Sequence, residues 1–122
     1  MPILIRGARV IDPGHCDATR DVLIERDKIS AVEPEGRMPV DSDCRIVPAR
    51  GLWLVPGLID MHVHFREPGQ EHKEDIASGS LAAAAGGFTA VCTMPNTLPA
   101  NDDPAVTEQI LERAAQAALV KV

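Results

Sequence analysis

Long hydrophobic runs, runs of basic residues and closely spaced cysteines are all missing from this sequence, and only 2% of its residues are aromatic. No apolar stretch approaches the length of a membrane span, and the N-terminus carries no signal-peptide pattern, so neither a membrane partner nor secretion is expected. The formal net charge is −6, and together with the lack of a basic run it argues against nucleic acid as a partner.

The three cysteines, Cys16, Cys44 and Cys92, lie far apart and form no Cys-x-x-Cys motif. This spacing is typical of reduced, buried thiols and favours a cytoplasmic protein. The 122 residues are 45% apolar and 25% charged, as in an ordinary soluble globular protein of about one domain. Composition therefore leaves a small globular protein without a strong charge signal for a macromolecular partner.

Residues 1–55 carry the pattern of short strands separated by turns, with no helical period. Pro and Gly mark two of the turns, because Pro presets φ and Gly tolerates positive φ. Several short strands of this kind predict a small β-sandwich-like domain or a β-roll. The predicted strands cover 3–6, 8–11, 21–25, 28–32, 45–47 and 52–55. His15 stands alone beside a turn, and a solvated side chain is the simplest interpretation.

Residues 56–122 alternate between strand and helix patterns. The predicted strands cover 57–66, 88–94 and 119–122, and the predicted helices run from about 72 to 86 and from 103 to about 118. Glu71 or Asp75 can favour the start of the first helix, and Asp103 followed by Pro104 suits the start of the second. Strand, helix and strand in this order predict a parallel sheet and an α/β fold class.

The strand over 57–66 alternates apolar and polar side chains, which predicts two different faces. The apolar face holds Ile59, Met61, Val63 and Phe65, and the polar face holds Asp60, His62, His64 and Arg66. Two imidazoles at i and i+2 on one face can converge on a single Zn²⁺ or similar ion. Two solvated histidines on a polar strand face would give the same pattern. We expect Asp60 to make a structural hydrogen bond rather than to bind metal.

The ends of the two predicted strands carry the polar residues that a site requires. His62, His64 and Arg66 end the first strand, and Asn96 follows the second in a Met-Pro-Asn-Thr turn. Functional groups of parallel α/β sheets collect at the carboxyl ends of the strands. We therefore expect these four side chains at one edge of the sheet.

Three sequence blocks resemble those of dihydroorotases in the amidohydrolase superfamily. They read PGLIDMHVHFREPG at 56–69, AAAAGGFT at 82–89 and MPNT at 94–97. They come in the family's order and spacing, and the resemblance runs from about Gly51 to Val122. The chain is most similar to the bacterial type, in which a small β domain precedes a metal-bearing (β/α)₈ barrel.

This resemblance implies a small β domain at 1–55 and the first βαβαβ part of a (β/α)₈ barrel at 56–122. Such a barrel typically needs about 250 residues, so we expect this chain to be the N-terminal piece of a longer enzyme. By itself it is expected to have no hydrolase activity and at most weak metal affinity. A homo-oligomer is expected, and an association with aspartate transcarbamoylase stays open.

The resemblance also implies an activity and roles for individual residues. Dihydroorotases use zinc, one ion or two, to hydrolyse dihydroorotate reversibly to N-carbamoyl-L-aspartate in de novo pyrimidine biosynthesis. By resemblance His62 and His64 are metal ligands, and Arg66 and Asn96 hold the substrate carboxylate. The remaining ligands and the general acid/base are expected beyond Val122. Without the resemblance, Arg66 could instead form a surface ion pair with Glu67 or Glu71, and Asn96 could simply form a turn.

Two other functions stay open. A related cyclic amidohydrolase would act on allantoin, hydantoins or dihydropyrimidines, whose lack of a carboxylate would leave Arg66 without an obvious partner. A catalytically silent homologue could serve as a scaffold for aspartate transcarbamoylase, but such a protein would be expected to lose metal ligands. The presence of both His62 and His64 argues against that role.

Overall fold

The computed structural model describes residues 1–39 and 41–122, which divide into two compact units, Met1–Pro56 and Gly57–Val122. The first unit is a single five-stranded sheet. Its strands are β1 (Ile3–Asp12), β2 (Cys16–Glu25), β3 (Lys28–Pro34), β4 (Arg45–Pro48) and β5 (Trp53–Leu54). The order is β3-β2-β1-β4, and β5 also pairs with β1. The β1–β2 and β2–β3 pairs are antiparallel, whereas β4 and β5 run parallel to β1.

This architecture differs from the predicted sandwich, because the described residues of the first unit form one sheet and not two. The strands over 3–6 and 8–11 were predicted as separate, but they form one continuous β1. A shift of the β1–β2 register between Ile5 and Ala8 places a bulge there, and Gly7 occupies it with a φ of 72°. A glycine tolerates this positive φ, so the strand bends instead of ending.

A buried carboxylate ties the bulge of β1 to the turn that follows β3. Asp21 in β2 is completely buried. Its Oδ1 accepts the N–H of Gly7 at 2.9 Å, and its Oδ2 accepts the N–H of Gly36 at 2.8 Å. Both glycines have positive φ, at 72° and 78°. Each carboxylate oxygen therefore satisfies a backbone donor that the sheet ladder leaves unpaired at an irregular position.

The second unit contains a strand, a helix, a second strand and a second helix. These are β6 (Leu58–Val63), α1 (Ile76–Ala85), β7 (Phe88–Thr93) and α2 (Pro104–Ala117). β6 and β7 are parallel, as predicted. The strand expected over 119–122 is reduced to one parallel bridge between Lys121 and Ala90. Among the described residues, no helix is long and apolar enough to cross a membrane.

The starts of both helices follow from capping chemistry. Asp75 caps α1 by accepting the N–H of Ser78 at 2.7 Å, and this hydrogen bond lowers the pKa of the Asp75 carboxyl. The helix thus begins at Ile76 and not near His72, since the segment before Asp75 forms turns. Asp103 caps α2 and Pro104 is its first residue, which confirms that prediction.

One hydrophobic core holds the second unit together. Its buried members come from both helices, from β7 and from the second residue after β6: Phe65, Ile76, Val91, Val106, Ile110 and Ala114. Gly79 of α1 lies against the Phe65 ring, and a Cβ added there would be 2.7 Å from Phe65 Cδ1 and closer still to Cε1. Only glycine permits this approach, so α1 packs directly on the residue that follows His64.

The prediction that the cysteines are buried is wrong. All three thiols are free, as expected, but none of them is buried. Cys16 and Cys44 are half-buried, and Cys92 in β7 is exposed rather than packed. Cys92 lies between two residues of β7 that are less exposed, Val91 and Thr93, because side chains alternate along a strand.

The buried carboxylate of the first unit gives a testable prediction. Asp21→Asn should lower the free energy of unfolding by about 2 kcal/mol, because an amide NH₂ would replace one of the two buried acceptors. Asp17→Asn is the matched control, since Asp17 lies in the same strand and pairs with Arg9 at the surface. Urea unfolding followed by circular dichroism measures both. Equal midpoints for the two variants would contradict the proposed role of Asp21.

The contact between Gly79 and Phe65 gives a second prediction. Alanine normally stabilises a helix interior by about 1 kcal/mol over glycine. Here Gly79→Ala should instead destabilise the protein by about 1–3 kcal/mol, because the new methyl group overlaps a buried ring. In a Phe65→Leu background the same substitution should cost less, and a double-mutant cycle measures the difference. Stabilisation by Gly79→Ala alone would contradict the packing.

Candidate functional site

The site lies where β6 ends, and a bulge in β6 decides which side chains reach it. Asp60 pairs with Val91 of β7 and Val63 pairs with Thr93, so β6 uses one residue more than β7 between these positions. The bulge reverses the alternation within the strand. Asp60 consequently lines the same cavity beside α1 as Val63 and Phe65.

The bulge makes the predicted faces wrong at the start of β6. Ile59 and Met61 were assigned to the apolar face, but they are 63% and 76% exposed. Asp60 was assigned to the face of the histidines, but it lines the cavity beside α1. Its Oδ1 accepts the backbone N–H of His62 at 3.0 Å, which confirms the structural hydrogen bond expected for this residue.

The imidazoles of His62 and His64 converge. Their Nε2 atoms are 3.2 Å apart, their ring centroids are 5.1 Å apart, and the rings are inclined by 62°. Two nitrogens bound at about 2.0–2.1 Å to one tetrahedral Zn²⁺ would be separated by about 3.3 Å. The observed distance between the Nε2 atoms fits this requirement, so the pair could share one ion of that size.

The described residues supply two ligands to such an ion and no more. In residues 1–39 and 41–122, no group of three or more His, Cys, Asp or Glu side chains could hold a metal ion together. The other two histidines are exposed, His15 in the turn between β1 and β2 and His72 in a turn before α1. A complete metal site would need additional ligands from outside the described residues.

Asn96 lies beside the histidine pair, although it is 32 residues from His64. Its Oδ1 is 2.9 Å from Nδ1 of His64. The backbone brings them together: the N–H of Met94 donates to the carbonyl of Val63 at 2.9 Å, which joins the ends of β7 and β6. Sequence reasoning placed Asn96 at this edge but missed its contact with His64, because no local pattern reports a contact between two loops.

Arg66 is half-buried, and in the described part of the chain its guanidinium forms neither a hydrogen bond nor an ion pair. Its two alternative partners are occupied elsewhere. Glu67 accepts the N–H of Ile76 at 3.0 Å and pairs with Arg113 at 3.3 Å. Glu71 accepts the N–H of Gly69 at 2.8 Å, and this hydrogen bond lowers the pKa of its carboxyl. The surface ion pair that could have explained Arg66 is not formed.

Glu67 is a residue that sequence reasoning missed. Its side chain is only 14% exposed, and its carboxylate connects the loop after β6 with the start of α1 and with Arg113 of α2. It thereby holds the backbone next to Arg66. The sequence gives no signal for this role, because Ile76 and Arg113 lie far along the chain.

Comparison with known proteins identifies relatives of this chain. The family model described as Dihydro-orotase-like matches residues 51–122. The dihydroorotase of Anaeromyxobacter dehalogenans is 53% identical over 121 residues, which are 98% of this chain and 28% of that protein. The dihydroorotase of Syntrophus aciditrophicus is 52% identical over 124 residues, which are 100% of this chain and 29% of that protein. The chain therefore spans less than a third of the length of these relatives.

Solved structures show the same fold at lower identity. The L-hydantoinase (dihydropyrimidinase) of Arthrobacter aurescens has a TM-score of 0.81 at 23% identity, covering 93% of this chain and 25% of that one. A D-hydantoinase has a TM-score of 0.69 at 24% identity, covering 97% of this chain and 24% of that one. These likenesses show a mixed α/β fold. Because the family model covers more than half of the chain, the chain belongs to the dihydro-orotase-like family.

Proposed function

We propose that this chain is the N-terminal part of a dihydroorotase, which hydrolyses dihydroorotate reversibly to N-carbamoyl-L-aspartate in pyrimidine biosynthesis. The observation that carries the proposal is the convergence of the His62 and His64 Nε2 atoms at 3.2 Å, next to Asn96 and close in sequence to Arg66. The relatives that are about half identical to this chain are named dihydroorotase.

His62 and His64 would hold zinc, one ion or the first of two. When bound, zinc supplies Lewis acidity at the amide carbonyl and makes water a better nucleophile near neutral pH. The two histidines would contribute imidazole nitrogens, and their exposed position leaves room for ligands from elsewhere. The remaining ligands and the group that moves protons would come from outside residues 1–122.

Arg66 would bind the substrate carboxylate. Its cationic guanidinium can form two parallel hydrogen bonds to a carboxylate. It forms no ion pair in the described residues, so binding of substrate would not require an existing pair to break. Asn96 would assist by donating from Nδ2, since its Oδ1 already faces His64.

A related cyclic amidohydrolase is the second candidate. The structural likeness to a hydantoinase with a TM-score of 0.81 favours it, although that likeness shows the fold alone. Hydantoins and dihydropyrimidines lack the carboxylate of dihydroorotate, so Arg66 discriminates between the two functions. The scaffold role, the association with aspartate transcarbamoylase, the homo-oligomer and the cytoplasmic location stay predictions.

Substitution of Arg66 tests the substrate. In the full-length protein, Arg66→Ala should lower kcat/KM for dihydroorotate about 10- to 100-fold, the equivalent of one charged hydrogen-bonding interaction. Arg66→Lys should recover part of this loss, because it keeps the charge but not the bidentate geometry. Lys73→Ala is the control, since Lys73 is exposed and its ammonium donates a hydrogen bond to Gln70.

The same assay compares dihydroorotate with allantoin and dihydrouracil. A protein that turns over dihydrouracil or allantoin but not dihydroorotate would contradict the proposal and select the related amidohydrolases. An unchanged kcat/KM for dihydroorotate in Arg66→Ala would remove Arg66 from the substrate site.

Removal of the metal, or substitution of the two histidines, tests the proposed zinc site. Chelation should abolish turnover by the full-length protein, and zinc should restore it. His62→Ala and His64→Ala should each lose bound zinc and turnover, whereas the exposed His72→Ala should keep both. Residues 1–122 alone should show no turnover and only weak zinc binding, because they supply two ligands. Zinc content by atomic absorption and turnover in the same samples measure these effects; a full zinc content in His62→Ala would contradict the assignment.

A further inference from the structure

We propose that Asn96 is a positioning residue for the histidine pair: its Oδ1 accepts the Nδ1–H of His64 and thereby keeps Nε2 of His64 unprotonated and facing Nε2 of His62. The inference rests on the proposed metal role of the pair for its functional meaning. It adds to the carboxylate role of Asn96 a second role, toward the protein's own imidazole.

The argument begins with the proton of a neutral imidazole. A histidine that binds metal through Nε2 must carry its proton on Nδ1, and that Nδ1–H needs a hydrogen-bond acceptor to hold the ring in place. Asn96 Oδ1 is 2.9 Å from Nδ1 of His64, within hydrogen-bonding distance. The amide oxygen is an acceptor only, so this contact selects the Nδ1–H form of His64.

The loop that carries Asn96 is fixed on both sides of this residue. Before it, the N–H of Met94 donates to Val63 at 2.9 Å. After it, the Thr97 hydroxyl donates to the carbonyl of Pro99 at 2.7 Å, and the N–H of Asn101 donates to the carbonyl of Pro95 at 3.0 Å. Asn96 can therefore hold His64 from a backbone whose position does not depend on the imidazole.

The two histidines are then not equivalent. With Nε2 of His64 unprotonated, the distance of 3.2 Å between the Nε2 atoms lets His62 donate from its own Nε2–H in the metal-free protein. To hold an ion through Nε2, His62 would have to exchange Nε2–H for Nδ1–H through solvent, with no net change in its protons. His64 needs no such change. His64 therefore already has the tautomer that binds metal through Nε2, whereas His62 has to change its tautomer.

The Asn96 amide would then interact with two neighbours, His64 and the substrate carboxylate. Its oxygen faces His64, which leaves Nδ2 as the donor to a substrate carboxylate. A substitution that keeps an acceptor oxygen but removes the NH₂ group separates the two roles. Asn96→Asp is that substitution, and Asn96→Ala removes both groups.

The first experiment is a long-range ¹⁵N–¹H NMR spectrum of full-length, metal-free protein labelled with ¹⁵N-histidine, at a pH where the imidazoles are neutral. We expect His64 as the Nδ1–H form and His62 as the Nε2–H form in the unmodified protein, with assignments from His62→Ala and His64→Ala. In Asn96→Ala, His64 should lose its preference for Nδ1–H. A His64 that carries its proton on Nε2 in the unmodified protein would overturn the inference without any Asn96 variant.

The second experiment measures zinc affinity and steady-state kinetics of the same proteins. Asn96→Ala should weaken zinc binding about 10- to 100-fold, as expected for loss of a partner that orients a metal ligand. Asn96→Asp should keep zinc affinity within a few-fold but raise KM for dihydroorotate, because its carboxylate repels that of the substrate. Asn101→Ala is the matched control, because Asn101 lies in the same loop as Asn96 but its side chain accepts from Thr107 of α2 at 2.6 Å. It should change neither the zinc affinity nor the tautomer of His64.

The outcomes separate this inference from the proposed function. If His64→Ala keeps its zinc, the metal role of the pair fails, and the NMR spectrum of the metal-free protein still decides whether Asn96 fixes His64. The unmodified protein could bind zinc through the pair while Asn96→Ala binds zinc as tightly and leaves the tautomer of His64 unchanged. In that case the proposed function stands and the role of Asn96 is refuted.

Discussion

The burial of Phe65 is the interaction on which the second unit and its site depend. The ring is 5% exposed and packs in one core with Ile76, Val91 and Ile110, and α1 approaches it closely because Gly79 has no side chain. Consecutive side chains of an extended backbone point in opposite directions, so a buried Phe65 directs His64 away from the core. The same residue therefore anchors the helix layer and orients the imidazole.

The charged residues of the loop after β6, which contains Phe65, have different roles. Glu67 connects that loop with both helices, and Glu71 closes its own turn through the N–H of Gly69. Both carboxylates therefore interact with other parts of the fold. Among the described residues, Arg66 has no protein counterion. A cation without a counterion is suited to a carboxylate ligand. The proposed contact of Asn96 with His64 would join the carboxylate and metal sites through one amide.

The sequence predicted the parts of this structure that depend on near neighbours. The Asp103–Pro104 start of α2, the parallel strand–helix–strand order and the membership of the dihydro-orotase-like family all agree with the structure and the comparisons. It also placed His62 and His64 on one side of a strand end, where the structure has them. Capping and alternation act over two to four residues, and a linear pattern contains that information.

Pairing and packing between distant segments decided what the sequence missed. The bulge after Asp60 arises from the register with β7, and it moved Asp60, Ile59 and Met61 to faces opposite to those predicted. The single sheet of the first unit depends on how β4 and β5 align with β1, and the bulge at Gly7 depends on a carboxylate in another strand. The residue types of the site were readable from the sequence because their chemistry is local. The contacts of Asn96 with His64 and of Glu67 with Arg113 required the tertiary structure, because each joins segments that only the packed sheet and helices bring within hydrogen-bonding distance.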